Sequence, residues 1–322
     1  QKKYIKNKLN ISNDPNNIID KNQNEKFDRT PWFCAGCPHN SSTKVPKRSK
    51  AFSGIGCHFM VNSMNRDTAT FTHMGGEGAS WIGIAPFVKE KHIFQNIGDG
   101  TYFHSGILSI RAAVASGINI TFKILFNNAV ALTGGQSIDG NFTPVNLSWQ
   151  LNSEGVNDIG LITNNVNKYK SKISLPKNVK LFHRNELEKV QLDFREKQGV
   201  TAIIFDQECA AELRRKRKKN ILPKPKSRVY INSDVCEGCG DCNISSNCVA
   251  IQPLETEFGR KRIIDQDMCN IDLSCLNGFC PSFITVEGDL HKNDYKLEEV
   301  KSQIKKFKKK SNKILYDNDS YN

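Results

Sequence analysis

The stretch HIFQNIGDGT, residues 92–101, followed downstream by Asn127-Asn128, decides how this chain is read. The apolar run 92–97 ends in Gly98-Asp99-Gly100, the pattern of a buried strand opening onto a helix. That helix is expected over about 101–115, with Ile107, Leu108, Ile110, Arg111 and Val114 on its faces. A second strand, 118–126, then delivers Asn127. The result is one βαβ crossover with Asp99 and Asn127 at the carboxyl ends of its two strands, where ligands of open α/β sheets gather. A helix N-terminus at that point favours an anionic group. A carboxylate and an amide oxygen beside a diphosphate suit Mg²⁺, which takes oxygen ligands in an octahedral array. Asn128 is an alternative source of the amide. The Thr133-Gly134-Gly135-Gln136 that follows favours Asn127.

The chain has 322 residues, enough for two domains. It opens on Gln1 and is expected to be a fragment. No apolar run approaches the roughly 20 residues of a membrane span, so a cytoplasmic protein is expected, with no membrane partner. Net charge is +13, with bases concentrated in Arg214–Lys219 and in 305–310. These blocks lack interleaved aromatics. A solvated linker and tail is therefore the better reading, and nucleic-acid binding the lesser one.

Residues 1–26 read as a polar linker and 27–212 as a doubly wound α/β domain. Further strands are expected at 68–72, 158–163, 179–182 and 200–205, with an amphipathic helix near 186–196. Residues 213–228 are basic, carry Pro223 and Pro225, and mark a linker. From 229 to 290 cysteines dominate over apolar residues, so a small α+β domain there needs a staple. Residues 291–322 form a Lys-rich tail, with a charged helix possible at 296–309.

Eleven cysteines in a cytosolic chain point to metal or cluster ligation, not disulfides. Cys236, Cys239 and Cys242 stand at x2 spacing and are followed by Cys248. Cys269-x2-Asp272-x2-Cys275 and Cys280-Pro281 come next. This arrangement resembles the bacterial two-cluster ferredoxins. There, three ligands come from one run and the fourth from the last cysteine of the other. The resemblance assigns Cys236, Cys239, Cys242 and Cys280 to one [4Fe–4S] cluster. It assigns Cys248, Cys269 and Cys275 to a second, with Asp272 where a fourth cysteine is expected. A [4Fe–4S] cluster, a labile iron or a [3Fe–4S] cluster all fit that second set. Cys34, Cys37, Cys57 and Cys209 remain in the α/β region, and four thiolates complete one further cluster. Two or three clusters are therefore expected. Paired zinc sites in a basic nucleic-acid protein are the rival, and a pure electron-transfer module is a second alternative.

Gly98-Asp99-Gly100, 26 residues and then Asn127 also resembles the thiamine diphosphate motif. Further motifs are RTPWFCAGCPH at 29–39, GIGC at 54–57, MGGEG at 74–78, TGGQ at 133–136, DQECAAE at 206–212 and EFGRKR at 257–262. Together the chain looks like a segment of a fused bacterial indolepyruvate ferredoxin oxidoreductase, within the wider 2-oxoacid:ferredoxin oxidoreductases. The resemblance covers about 27–288.

That likeness implies an oxidoreductase. An aryl 2-oxoacid and coenzyme A would give acyl-CoA, CO₂ and two electrons for ferredoxin. It implies Mg²⁺ held by Asp99, Asn127 and the carbonyl of Ala129. It places thiamine diphosphate against Gly75, Gly76, Gly78, Gly98, Gly100 and Thr101, with Glu77 and His104 as catalytic candidates. His39, His58 and His73 are further contacts to consider. It also implies an upstream pyrimidine-binding domain, a downstream domain and a homo-oligomer. This chain alone is expected to hold cofactors without turning over.

Overall fold

The structure, a computed structural model, describes residues 30–138, 142–170, 175–223 and 225–288. The expected linker at 1–26, the tail at 291–322, its helix at 296–309 and the basic block 305–310 lie outside the described residues. From Phe33 on, the described residues belong to one compact unit.

Strands β1 (Ala51–Ser53), β2 (Thr68–Phe71), β3 (Ile93–Gly98), β4 (Ile120–Phe126), β5 (Asp158–Thr163), β6 (Val179–His183) and β7 (Val200–Asp206) form one parallel sheet. Its order is β2-β1-β3-β4-β7-β5-β6. The central strands are apolar on both faces because both are covered, as parallel sheets require. On β4, Ile120, Phe122, Ile124 and Phe126 enter one core with Ile97, Ile110 and Leu151. Leu125 enters another with Ile203, Phe205 and Phe194 on the opposite face. Each expected strand is present, with ends moved by one or two residues. β3 runs on to Gly98, so the glycine that opens the turn is the last residue of the strand.

Helices α1 (Ala79–Ile84), α2 (Ile107–Ser116), α3 (Pro144–Ser153), α4 (Leu187–Arg195) and α5 (Ala210–Lys218) cover the sheet. The expected helix 101–115 is real but not uniform. A turn of α-helix at Asp99–Thr101 and a π-helical stretch at Tyr102–Gly106 precede α2. Such π-stretches concentrate at functional sites. Gly106 permits this packing: a Cβ there would lie 2.4 Å from Ile97 Cδ1 on β3. Gly117, at φ +68°, ends α2 in the left-handed conformation that favours glycine.

Three of these helices, α1, α3 and α5, lie where the sequence reading placed none. For α3 the signal was available: Thr143 caps it by accepting from the Asn146 N–H at 3.2 Å, and Pro144 takes the first turn. α5 occupies the start of the stretch read as a basic linker. Its bases are stabilised by partners: Arg214 donates to the Asp267 carbonyl at 2.5 Å and Arg217 to that of Asn270 at 3.0 Å. Lys216 and Arg215 pair with Glu208 and Glu212. Much of the 214–219 block is thus turned onto the protein itself.

The cysteine-rich stretch pairs β8 (Ser227–Ile231) with β11 (Phe283–Glu287) and β9 (Ile251–Thr256) with β10 (Gly259–Ile264), both antiparallel. A short helix α6 (Asp241–Ser246) carries Cys242, the third cysteine of its first run. Its core is small. Val229, Ile251 and Ile264 are the buried members, and Cys242, Cys248, Cys269 and Cys275 pack against them. Among the described residues no helix is long and apolar enough to cross a membrane.

Phe122 has no solvent exposure, and its ring fills the space over Gly78, where a Cβ would approach to 2.7 Å. Phe122→Ala is expected to cost about 3–5 kcal/mol in chemical denaturation. Leu108→Ala, on the 59% exposed face of α2, is expected to stay within about 0.5 kcal/mol.

Candidate functional site

The carboxyl ends of β1, β3, β4 and β7 lie along one edge of the sheet. Each runs into a segment that the sequence singled out: Gly54–Cys57, Asp99, Asn127 and Cys209. A parallel sheet brings these together although they are spread over more than a hundred residues of chain.

Asp99 is 3% exposed. One carboxylate oxygen accepts from the Gly100 N–H at 2.9 Å. The other accepts from the N–H groups of Asn127 at 2.9 Å and Asn128 at 2.8 Å. The end of β3 is thereby tied to the end of β4. Burial pushes the Asp99 carboxyl up to about 6, and the N–H donors pull against that rise. Asn127 is buried, and its Oδ1 is held by the Ala129 N–H at 3.1 Å. Asn128 is exposed and left-handed at φ 56°. Of the two amides, Asn127 is the one that faces the cleft.

That cleft encloses about 180 Å³. It is lined by Gly98, Asp99, Gly100, Thr101, Asn127 and Ala129, together with His39, His58 and His104. His58 is 2% exposed and its Nε2 finds no hydrogen-bond partner. Burial, then the nearby His39, pushes His58 down to about 3; burial pushes His39 down to about 4. Both imidazoles are therefore neutral at physiological pH. Their rings meet edge-on at 5.6 Å. His104 is exposed, projects from the π-helical stretch and contacts Ser105 Oγ at 2.9 Å. The donor set suits Mg²⁺ on a diphosphate: one carboxylate, one amide oxygen, one backbone carbonyl and a helix start. The side-chain-free surface at Gly98 and Gly100 lines the cleft beside these donors.

Glu77 has a different place. It is fully buried, and accepts from the Gly75 N–H at 2.7 Å and the Ile55 N–H at 3.4 Å. It does not line the cleft but clasps the loops after β1 and β2 to each other. Gly75, Gly76 and Gly78 likewise serve loop packing: a Cβ at Gly75 would meet Ser105 Oγ at 2.1 Å, and one at Gly76 the His73 ring at 2.7 Å.

The cysteines fall into three groups. Burial raises the Cys37 thiol well above its ordinary range, and the nearby Cys34, Cys209 and Cys57 add to the rise. Cys57, also raised mainly by burial, feels Cys209 and Cys34. These four therefore share one neighbourhood. The Cys209 N–H donates to the Asn127 carbonyl at 3.2 Å, so this group adjoins the Asp99–Asn127 loop. Cys236, Cys239, Cys242 and Cys280 line a cavity of about 630 Å³, and the Cys242 thiol, raised by burial, feels the other three. Arg262 lines the same cavity with a buried Nε that has no partner, a feature without a sequence signal. Cys275, pushed up to about 12 by burial, feels Cys269, Cys248 and Asp272. Among the described residues no three His, Cys, Asp or Glu side chains form a group fit for a single metal ion.

Asp272 is not free beside those thiols. Arg184, which the sequence did not single out, and Gln207, in the DQECAAE motif, both donate to its carboxylate. The contacts span 88 and 65 residues, so no local pattern could have shown them.

Residues 54–160 match a family model, the thiamine pyrophosphate enzyme C-terminal TPP binding domain. The chain is 25% identical over 272 residues to the indolepyruvate oxidoreductase subunit IorA of Thermococcus kodakarensis, across 75% of this chain and 38% of that protein. It is 24% identical over 263 residues to the protein of the same name from Archaeoglobus fulgidus, across 79% of this chain and 39% of that one. The chain thus spans well under half the length of these relatives. Among solved structures it resembles a 2-oxoglutarate:ferredoxin oxidoreductase from Magnetococcus marinus at 17% identity and a TM-score of 0.44, over 56% of this chain and 65% of that one. The family match supports a thiamine-pyrophosphate-binding α/β domain in residues 54–160.

Because burial raises the folded-state pKa of Asp99 above its unfolded value near 3.9, the folded ligand-free chain holds this proton longer than the unfolded chain. Stability is therefore expected to fall as pH rises from about 4 to about 6, by up to about 3 kcal/mol from this group. Denaturation of the ligand-free chain across that range, with Asp99→Asn as the control that flattens the step, measures it.

Proposed function

We propose that this chain is the diphosphate-binding and electron-transfer portion of a 2-oxoacid:ferredoxin oxidoreductase. Its substrates are indolepyruvate or another aryl 2-oxoacid, with coenzyme A as acyl acceptor and ferredoxin as electron acceptor. The observation that carries this reading is the hydrogen bond from the Cys209 N–H to the Asn127 carbonyl. It sets a four-cysteine group directly beside a loop built for a metal-bound diphosphate. Oxidative decarboxylation needs that neighbourhood, because two electrons must leave the substrate one at a time.

When bound, thiamine diphosphate supplies the carbon nucleophile and the electron sink for decarboxylation. Asp99, Asn127 and the Ala129 carbonyl hold Mg²⁺ on its diphosphate. Asp99 must be ionised to do so, and Mg²⁺ lowers its pKa in return. Asn127 Oδ1 and the Ala129 carbonyl each accept one backbone N–H, from Ala129 and Ala131. Each retains a second lone pair. Gly100 and Thr101, which line the cleft at the helix start, would border the phosphate. His58 and His39, neutral, line the wall. His104, on the exposed side, is placed to meet the substrate or move a proton. Glu77 holds the loops that shape this end of the cleft.

Cys34, Cys37, Cys57 and Cys209 hold a cluster beside the cleft in this reading. Cys236, Cys239, Cys242 and Cys280 hold a [4Fe–4S] cluster in the ferredoxin-like part, with Cys248, Cys269 and Cys275 at a second site. Domains beyond this chain complete the pyrimidine side of the cofactor.

Two measurements test the reading. Calorimetric titration with thiamine diphosphate in Mg²⁺ is expected to show binding that Asp99→Ala weakens by at least about 100-fold, since a buried charge-assisted anchor is lost. Iron and acid-labile sulfide on anaerobically purified chain are expected near eleven to twelve per chain, as three clusters require. Iron-free chain with stoichiometric zinc would point to a zinc-binding protein instead. Clusters without any thiamine diphosphate binding would leave an electron-transfer module.

A further inference from the structure

Asp272 occupies the middle place of Cys269-x2-Asp272-x2-Cys275, where a two-cluster ferredoxin run carries a cysteine ligand. Its carboxylate is already engaged. Arg184, in the turn ahead of α4, donates through Nη1 to Oδ1 and through Nη2 to the Asp272 carbonyl at 2.6 Å. Gln207, one residue past β7, donates to the same Oδ1 at 2.7 Å. The two side chains of the ion pair are only 13% and 9% exposed. On its other side the residue packs against the Cys34–Cys37 turn: a Cβ at Gly36 would stand 3.0 Å from Asp272 Cβ. Next to it, Asn270 Nδ2 donates to the Ala35 carbonyl at 2.8 Å.

A carboxylate that turned away to bind iron would leave the Arg184 guanidinium buried without its charge partner, an arrangement strongly disfavoured in proteins. A guanidinium fork fits a carboxylate far better than it fits a thiol, which explains why Asp and not Cys stands at this position. We propose that Asp272 is not a cluster ligand but the latch that seats the cysteine-rich part on the α/β part, leaving Cys248, Cys269 and Cys275 as a three-thiolate [3Fe–4S] centre. This rests on the iron–sulfur reading above. The latch also pins the 269–275 segment onto the turn that carries Cys34 and Cys37, so the second centre faces the cluster beside the cleft.

The test uses the full chain, purified anaerobically, with electron paramagnetic resonance and Mössbauer quantification of each cluster type. The oxidised chain is expected to show the S = 1/2 signal of a three-iron centre at about one spin per chain. Asp272→Asn, which keeps an oxygen toward Arg184, is expected to leave that signal and the iron count unchanged. Dithionite-reduced wild-type chain offered ferrous iron is expected to stay three-iron. Arg184→Leu, which frees the carboxylate, is expected to take up the fourth iron, [3Fe–4S]⁰ plus Fe²⁺ giving [4Fe–4S]²⁺. The double variant Arg184→Leu/Asp272→Asn is expected not to.

A wild-type second site holding four irons, with one iron lost on Asp272→Asn, overturns the inference while the iron–sulfur reading stands. A chain that carries zinc and no iron overturns the reading itself, and the inference with it.

Discussion

The Asp99 carboxylate, buried at the end of β3 and accepting three backbone N–H groups, is the interaction on which the site depends. A carboxylate loses several kcal/mol of hydration on burial, and three neutral donors repay only part of that. The rise of its pKa toward 6 measures the shortfall. No protein cation sits among its hydrogen-bond or ion-pair partners within the described residues. The same three donors set the course of the chain after β4, since Asn127 and Asn128 can reach Asp99 only through the tight turn that puts Asn128 at positive φ. A buried acid that is under-compensated and held in register by backbone fits the Mg²⁺ role proposed for it.

From that tie the remaining geometry follows by sheet topology. β7 lies beside β4 in parallel register, with Phe126 opposite Asp206. The chain leaving β7 must therefore pass the Asn127 turn. The Gln207 N–H donates to the Phe126 carbonyl and the Cys209 N–H to that of Asn127. β1 lies on the other side of β3 and delivers Cys57 to the same edge. Neither cysteine is near the other in sequence. Both are near Asp99 because parallel strands present all their carboxyl ends on one side.

This separates what the sequence could show from what it could not. Gly98-Asp99-Gly100 and Asn127 were legible because a βαβ unit is local: apolar runs, a glycine turn and a spacing that one helix fills. The parallel sheet followed from the alternation of such runs. The grouping of Cys34 and Cys37 with Cys57 and Cys209 was reached only by setting aside the cysteines of the later runs, and the electrostatic neighbourhood of Cys37 agrees with it. For Glu77 the glycine loop suggested chemistry, and its contact with the Ile55 N–H, 22 residues back, carries no local signal. The basic run 214–219 suggested a solvated linker because its partners are carbonyls of 267–270, which carry no compositional signature. Local periodicity cannot report contacts whose two halves meet only after the sheet has formed.

The state of the thiols bears on what the cysteine groups are for. A reactive or redox-switching cysteine needs a depressed pKa and access, conferred by a cation or a helix start. Here Cys37, Cys57, Cys242, Cys269 and Cys275 are all pushed the other way, by burial first and by neighbouring cysteines after it. Such thiols are poor nucleophiles when empty. They become good ligands only if a cationic centre arrives to stabilise several thiolates at once, releasing their protons as it binds. Among the described residues of the cysteine-rich part, the buried hydrophobic cluster consists of Val229, Ile251 and Ile264, with the small Ala250 also buried and cysteines making up much of the surrounding packing. Under the proposed iron–sulfur reading, a core so small would draw much of its stability from what its cysteines bind. Cluster assembly and folding of this segment would then be coupled, and the Arg184–Asp272 contact would help by docking the segment so that its ligands stand together.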